Sequence, residues 1–127
     1  MRQTITTANA PSSPFYSQGV RVGDTVHISG LVGVDPATGE MAGPGIGEQT
    51  RQAILNCRSV LESAGGTLED VAEVGVLLTR PEYFADMNEA YAELFDGDLP
   101  VRYVAKLGVD LPGVLVSIRM TAYLSSS

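Results

Sequence analysis

The sequence has few of the residues that build disulfides and metal sites. It contains one cysteine, Cys57, and one histidine, His27, among 127 residues. A single cysteine cannot form a disulfide within the chain, and such sparing use of cysteine is typical of a reducing cytoplasm. A lone histidine provides neither a His-rich metal site nor a Ser-His triad. We therefore expect a cytoplasmic protein without a metal, in which Cys57 belongs to the core.

Basic residues are also scarce, and this limits the class of partner. Eight lysines and arginines stand against 15 acidic residues, which gives a net charge of −7 and an isoelectric point near 4.5. Nucleic-acid binding is not expected, because contacts with phosphates require clustered positive charge. A membrane partner is not expected either, because the sequence has no run of about 18 apolar residues and no apolar signal segment. An anionic ligand would need a local positive site.

The first third of the chain has the apolar alternation of strands. Three segments are predicted as strands: Gln3–Thr6, Tyr16–Val22 and Thr25–Val32. Gly23 and Asp24 separate the second strand from the third. A glycine at the first central position predicts a two-residue type II′ turn, so these two strands should form a hairpin.

Helical periodicity begins near Gly45 and returns near Pro81. The first predicted helix has one apolar stripe: Ile46, Thr50, Ala53, Ile54, Cys57, Val60, Leu61 and Ala64. The second has a stripe of its own: Phe84, Met87, Tyr91, Leu94 and Phe95. Asp96-Gly97 is expected to end the second helix. Three further apolar segments predict strands: Val71–Thr79, Val101–Leu107 and Leu115–Leu124.

The resulting order is β-β-β-α-β-α-β-β. It predicts an α+β protein with one domain over residues 1–127, a mixed sheet and two helices on one face. The fourth and fifth strands carry large apolar residues at positions of both parities, so the face without helices is also apolar. Such a face needs a cover, and we expect a homo-oligomer with cyclic symmetry.

Five ordered motifs cover nearly the whole chain. They are Asn9-Ala10-Pro11 with Tyr16-Ser17-Gln18-Gly19, Ile28-Ser29-Gly30 with Asp35–Gly39, Gln52–Gly65, Met87–Tyr91, and Leu99-Pro100-Val101-Arg102. Together they resemble the RidA/YjgF family, also called the endoribonuclease L-PSP family. The resemblance implies a chorismate-mutase-like fold, a homotrimer, and ligand clefts between neighbouring subunits. It also implies hydrolysis of enamine and imine acids, such as 2-aminoacrylate and 2-iminobutanoate, to a 2-keto acid and ammonia without a cofactor.

Arg102 is the leading candidate for the site. A planar guanidinium grips a carboxylate through two parallel hydrogen bonds, and a 2-imino acid carries a carboxylate. From spacing alone, a surface or intersubunit ion pair is the alternative. With the family motif around it, Arg102 is predicted to orient a small carboxylate-bearing metabolite. Tyr16 is the second predicted catalytic residue and is expected at the imine end.

The resemblance adds four substrate-binding positions: Ser29, Gly30, Asn88 and Val104. Asn88 offers a donor and an acceptor, and Gly30 offers an approachable backbone. At Val104, where many family members have cysteine, the backbone amide is the useful group. The alternative is an interface aromatic for Tyr16 and a helix-surface residue for Asn88.

Arg119 departs from the family pattern. Deaminases of the family have a glutamate at this position of the last strand, where it is thought to position or activate water. A guanidinium cannot accept a proton at neutral pH, so Arg119 cannot replace a general base. It is predicted instead to favour a more anionic ligand, or to form an intersubunit ion pair.

Three functions are compatible with these residues. The first is hydrolytic deamination of enamine and imine acids. The second, favoured by Arg119, is a non-deaminating relative that binds a small carboxylate metabolite or serves a specialised catabolic or biosynthetic step. The third is an endoribonuclease, an activity attributed to some family members, against which the low isoelectric point argues.

Overall fold

The computed structural model describes residues 1–125 as a six-stranded sheet with two α-helices. The strands are β1 Arg2–Ile5, β2 Gly19–Val22, β3 Thr25–Val32, β4 Val71–Leu78, β5 Val101–Lys106 and β6 Val116–Tyr123. The α-helices are α1 Ile46–Ser63 and α2 Phe84–Ala92. Short 3-10 turns at Leu68–Asp70 and Pro81–Tyr83 precede β4 and α2. The predicted order and the α+β class are confirmed.

The sheet has the strand order β1-β2-β3-β6-β4-β5, and β5 forms one edge. Only β4 and β5 are parallel; the other neighbouring pairs are antiparallel. One row of paired residues runs from Ile28 through Met120 and Val74 to Arg102. Arg102 therefore lies on the edge strand, at the far end of a row that begins in β3.

Helix α1 lies across β3 and β6, and its apolar stripe forms the centre of the core. The predicted stripe is buried from Ile46 to Leu61, while Ala64 is half-buried. Gln49 is also buried, and its amide nitrogen donates to the carbonyls of Gly43 and Gly113 at 3.0 and 2.9 Å. Its carbonyl oxygen accepts from the Leu115 amide at 2.9 Å. Gln49 thus ties the segment before β6 to the helix.

Three local expectations are wrong. Strand β2 begins at Gly19, and Tyr16 forms only an isolated bridge with Ser13. Helix α2 ends at Ala92, before Asp96-Gly97, because the amides of Glu93 and Leu94 bond to carbonyls three residues back, in tighter turns. Phe84 was expected in the core but is 45% exposed, because the first residue of α2 lies at the rim of the core.

The turn after β2 has the predicted type. Gly23 has φ of +60°, whereas no non-glycine residue of the described chain has a positive φ. A type I′ turn requires a positive φ at both central residues, so the turn through Asp24 is type II′.

A bulge in β3 keeps two apolar side chains on the same face of the sheet. Ile28 pairs with Met120 and Leu31 with Ile118, so Ser29 and Gly30 both oppose a single residue of β6. Ile28 and Leu31 are both buried under the helices. The extra residue therefore keeps both apolar side chains in the core and presents Ser29 and Gly30 on the other side, called here the open face.

The open face has no helix over it among residues 1–125. Several of its larger side chains are exposed: Val22, Val101, Tyr103 and Tyr123. Tyr103 lies directly over Gly75, where a Cβ atom would collide with its ring. No helix in this part of the chain is long and apolar enough to cross a bilayer.

Candidate functional site

Arg102 is held by helix α2. Its Nη1 donates to Oδ1 of Asn88 at 2.8 Å. Its Cζ lies 4.9 Å from the ring centre of Tyr91 and 5.9 Å from that of Phe84, both within cation–π range. Phe84, Asn88 and Tyr91 are spaced as i, i+4 and i+7, so one helix face provides all three contacts. The predicted pair Arg102 and Asn88 is thus brought together.

The partners of Arg102 leave its charge available. Within residues 1–125, the ion pairs involve Arg21, Arg51 and Arg119, and no carboxylate lies within 4.0 Å of Arg102. An amide and aromatic faces orient a guanidinium without neutralising it. Burial raises the pKa of the Tyr91 hydroxyl, and the positive charge of Arg102 opposes that rise. Tyr91 therefore remains a neutral platform at physiological pH.

The backbone beside Arg102 is exposed at the sheet edge. The Leu107 amide donates to the Leu78 carbonyl at 2.8 Å, so at Leu107 the backbone turns toward β4. Backbone groups alternate in direction along a strand, so those of Arg102, Val104 and Lys106 turn outward. The Val104 amide is therefore available on the same edge as the Arg102 guanidinium.

Tyr16, Ser29 and Gly30 lie together elsewhere, at a cavity of about 290 Å³. The cavity is lined by Tyr16, Ser29, Gly30, Val32, Leu107, Leu111 and Ser117. Tyr16 is 51% exposed, and the Ser29 hydroxyl donates to the Ser17 carbonyl at 2.6 Å. A Cβ on Gly30 would lie 2.9 Å from the Ser117 hydroxyl, so a larger residue would crowd this wall.

The two groups of candidates lie on opposite faces of the same sheet. Arg102 reaches toward α2 on the helix side, whereas Ser29 and Gly30 belong to the open face. A side chain cannot cross the sheet, so one chain does not unite them in a single pocket. The predicted residues form two separate groups, each a candidate half-site: Arg102, Asn88 and Val104 in one, and Tyr16, Ser29 and Gly30 in the other.

Arg119 is on the open face, where it pairs with a carboxylate of the same chain. Its Nη1 lies 2.9 Å from Oε1 of Glu73, and its Nη2 donates to the Thr121 hydroxyl at 2.8 Å. Arg119 and Glu73 are 31% and 47% exposed. The side chain thus forms an ion pair within its own chain, a partner that the sequence did not predict.

Cys57 lies on the helix side of β6 and is fully buried. Its thiol is 3.4 Å from the Ile118 carbonyl. Burial raises its pKa to about 12, and the Arg119 charge only partly opposes that rise. A thiol with this pKa is not a nucleophile at neutral pH, which agrees with a core role. Among residues 1–125, no three His, Cys, Asp or Glu side chains cluster as a metal site would require.

Sequence reasoning missed the two aromatic contacts of Arg102 and the Glu73 partner of Arg119. Phe84 and Tyr91 were assigned to the core stripe of α2, but the i, i+4, i+7 spacing with Asn88 carried the missing signal. Glu73 had no such signal, because 46 positions separate it from Arg119.

Comparison with known proteins identifies the group of proteins to which this chain is related. The family model described as Endoribonuclease L-PSP matches residues 7–124. The chain belongs to the RidA/YjgF family. A RutC family protein of Pyrococcus horikoshii is 40% identical over 125 residues, covering 97% of this chain and 98% of the relative. The 2-iminobutanoate/2-iminopropanoate deaminase of Mus musculus is 36% identical over 124 residues, covering 96% and 91%.

Solved RidA/YjgF structures have the same fold. RidA from the Antarctic bacterium Psychrobacter sp. matches with a TM-score of 0.90 and 37% identity, covering 96% of this chain and 99% of that one. E. coli TdcF, solved with bound serine, matches with a TM-score of 0.90 and 30% identity, covering 97% and 99%. The six-stranded sheet with two helices is therefore the RidA/YjgF architecture.

Proposed function

We propose that this protein hydrolyses small 2-imino acids to 2-keto acids and ammonia. Water adds to the carbon of the C=N bond and forms a carbinolamine. That intermediate expels ammonia as its hydroxyl becomes the new carbonyl, so one water is consumed and one ammonia is released. The reaction needs a group that orients the carboxylate and a setting that admits one ordered water.

The observation that carries this proposal is the set of neutral partners around Arg102. The guanidinium is fixed by Asn88 and Tyr91, yet no carboxylate of residues 1–125 lies within ion-pair distance. In a chain with a net charge of −7, an oriented arginine with neutral neighbours provides a local positive charge that attracts an anion. A 2-imino acid supplies the carboxylate that it would bind.

The site is completed, in this proposal, by a second copy of the chain. The half-site with Tyr16, Ser29 and Gly30 is on the open face, and the half-site with Arg102 is at the β5 edge. Two copies packed in cyclic order would bring the edge of one against the open face of the next. Val101 and Tyr103 are exposed apolar residues on the open face, and contact with a second copy, as in a homotrimer, would bury them.

Each proposed residue then has a distinct role. Arg102 holds the carboxylate, and the outward Val104 amide donates a further hydrogen bond to it. Tyr16 places its ring and hydroxyl at the imine end. Arg119 does not act as a base, because a guanidinium stays protonated. The labile imine is attacked by water whose position comes from binding rather than from a carboxylate on β6.

Two relatives support the assignment. The similar mouse protein is a 2-iminobutanoate/2-iminopropanoate deaminase. E. coli TdcF was solved with serine, a small α-amino acid whose carboxylate and amino group resemble those of the proposed substrate. Both likenesses extend over nearly the whole chain.

A second candidate function is binding of a carboxylate metabolite without turnover. Arg119 favours it, because deaminases with the usual family pattern have a glutamate there. The Arg119–Glu73 ion pair determines the ligand charge that this second candidate function requires. Since Glu73 neutralises Arg119 at 2.9 Å, a single carboxylate on Arg102 suffices, and a dianionic ligand is not required.

The test is a coupled assay in which an amino-acid oxidase generates the imine and semicarbazide competes with the protein for it. Wild type is expected to lower semicarbazone formation and release ammonia. Arg102→Ala should reduce kcat/KM by roughly a hundredfold, since loss of charge-assisted hydrogen bonds costs about 3 kcal/mol.

Arg51→Ala is the matched control, because Arg51 is a half-exposed arginine paired with Glu93 at 2.8 Å. It should retain wild-type rates, and circular dichroism and sedimentation should show all three proteins folded in the same oligomer. No imine consumption by wild type at high concentration, with 2-keto acids still bound, would favour the second candidate. Equal rates for Arg102→Ala and wild type would contradict the site.

A further inference from the structure

A groove of about 570 Å³ lies next to the Arg102 half-site on the helix side of the sheet. Its lining residues are Leu78, Pro81, Phe84, Val104, Ala105 and Lys106. None of the proposed catalytic steps uses this groove. Phe84 and Val104 connect it to Arg102, because Phe84 forms one wall and Val104 lies two residues along the same edge strand.

The exposure of Phe84 distinguishes this groove from ordinary surface. Phe84 belongs to the apolar stripe of α2, yet 45% of it is exposed. Its ring is simultaneously 5.9 Å from Arg102 Cζ and part of the groove wall. The groove therefore begins beside the guanidinium that holds the substrate carboxylate in the proposed function.

We infer that this groove receives the side chain of the substrate, and that the protein prefers imino acids with branched or extended apolar side chains over 2-iminopropanoate. The inference rests on the proposed function and names its substrate class. Burial of apolar carbon against aliphatic and aromatic walls is favourable, and these walls offer few polar groups to a small hydrophilic ligand. A methyl group would leave most of the groove to water, whereas an isobutyl group would fill more of it.

Lys106 is the only lysine of the sequence, and it stands at the far end of the groove from Arg102. Its methylene stem extends the apolar wall while its ammonium remains in water. A dicarboxylic imino acid would use that ammonium instead of the apolar wall. The two ligand types are therefore separated by a comparison of leucine-derived and glutamate-derived imines.

The experiment measures kcat/KM for imines generated by amino-acid oxidase from alanine, 2-aminobutyrate, leucine, methionine and glutamate. The leucine and methionine products are expected to exceed the alanine product by about tenfold or more, the range that a hydrophobic pocket gives for added carbon. Val104→Phe, which fills the groove, should reduce this ratio at least tenfold. Val22→Phe adds the same ring on the opposite face of the sheet and is the control; because Val22 lies on the open face, sedimentation first checks that the variant keeps the wild-type oligomer, and the ratio should then be unchanged.

Binding measurements keep the two proposals separable. Calorimetric titration with pyruvate and with 4-methyl-2-oxopentanoate tests the groove without turnover. Graded affinity that Val104→Phe removes supports the groove even where no imine is hydrolysed, and the deaminase proposal alone then fails. Deamination with equal kcat/KM across the apolar series overturns the groove alone. A preference for the glutamate-derived imine, or a Val104→Phe ratio equal to wild type, also overturns it.

Discussion

Arg102 and Arg119 lie on the same sheet but have opposite surroundings. Arg102, on the edge strand, touches an amide and two aromatic rings. Arg119, on the central strand β6, is paired with Glu73 at 2.9 Å and is 31% exposed. One guanidinium is oriented with its charge intact, and the other is neutralised within its own chain. The two arginines therefore differ in the respect that matters for the proposed carboxylate site, because a carboxylate already contacts Arg119 and none contacts Arg102 among residues 1–125.

The largest expected effect comes from giving Arg102 the surroundings of Arg119. Asn88→Asp would place a carboxylate 2.8 Å from the Arg102 guanidinium, where the amide oxygen now lies. The introduced charge would compete directly with a ligand carboxylate, so affinity for 2-keto acids should fall tenfold or more. Calorimetric titration measures the change.

Asn88→Ala is the control for that variant, because it removes the hydrogen bond without adding charge. It should weaken binding less than Asn88→Asp does. Equal affinities for the two variants would mean that the neutrality of the Arg102 environment has no importance for binding.

The reverse change is expected to have a smaller effect. Glu73→Gln would release Arg119 from its ion pair and leave a second positive charge on the open face. Because the pair is partly exposed, its loss should lower the free energy of unfolding by no more than about 1 kcal/mol. Urea denaturation measures this value, with Glu93→Gln, which breaks the exposed Arg51 pair, as the control. A loss of several kcal/mol would indicate that Glu73 and Arg119 are desolvated, as they would be if the proposed oligomer covers the open face.

The smallest expected effect comes from Tyr91, whose ring lies against the Arg102 guanidinium. The Tyr91 hydroxyl is buried and finds no hydrogen-bond partner within residues 1–125. Tyr91→Phe removes this unpaired group while keeping the ring, so the free energy of unfolding should rise by up to about 1 kcal/mol. Thermal and urea denaturation at neutral pH test the sign, and a loss of stability would contradict the absence of a hydrogen-bond partner for this hydroxyl.

The same variant has a defined pH dependence. The pKa of Tyr91 is raised above its ordinary value of 10.0, chiefly by burial. This group therefore leaves the free energy of unfolding unchanged with pH below about pH 10 and lowers it as the pH rises further, since the tyrosine of the unfolded chain ionises first. Tyr91→Phe should show a shallower alkaline loss of stability than wild type.

The sequence predicted the strands and helices well where periodicity was strong. The α1 stripe and the turn at Gly23 depend on local spacing and were confirmed. Phe84 was misplaced because helical spacing identifies a face and does not reveal where the core ends along the helix. The buried Gln49 was missed for a related reason, since its partners Gly113 and Leu115 come from a loop more than 60 positions away.

The sequence supplied candidate site residues but did not predict their arrangement. The family motifs pointed to Arg102 and Asn88, and the structure places them 2.8 Å apart. The same motifs pointed to Tyr16 and Ser29, which lie on the opposite face of the sheet. Face assignment depends on strand order and on the β3 bulge, and neither can be read from local patterns.

The edge position of β5 has a consequence beyond ligand binding. An edge strand with outward backbone groups is a template to which a strand of another molecule can add, and such addition begins aggregation. Arg102 and Lys106 both stand on this edge, and charged side chains there discourage pairing. The two cations therefore protect the chain while its edge is uncovered, and variants that lose Arg102 are expected to aggregate more readily during expression.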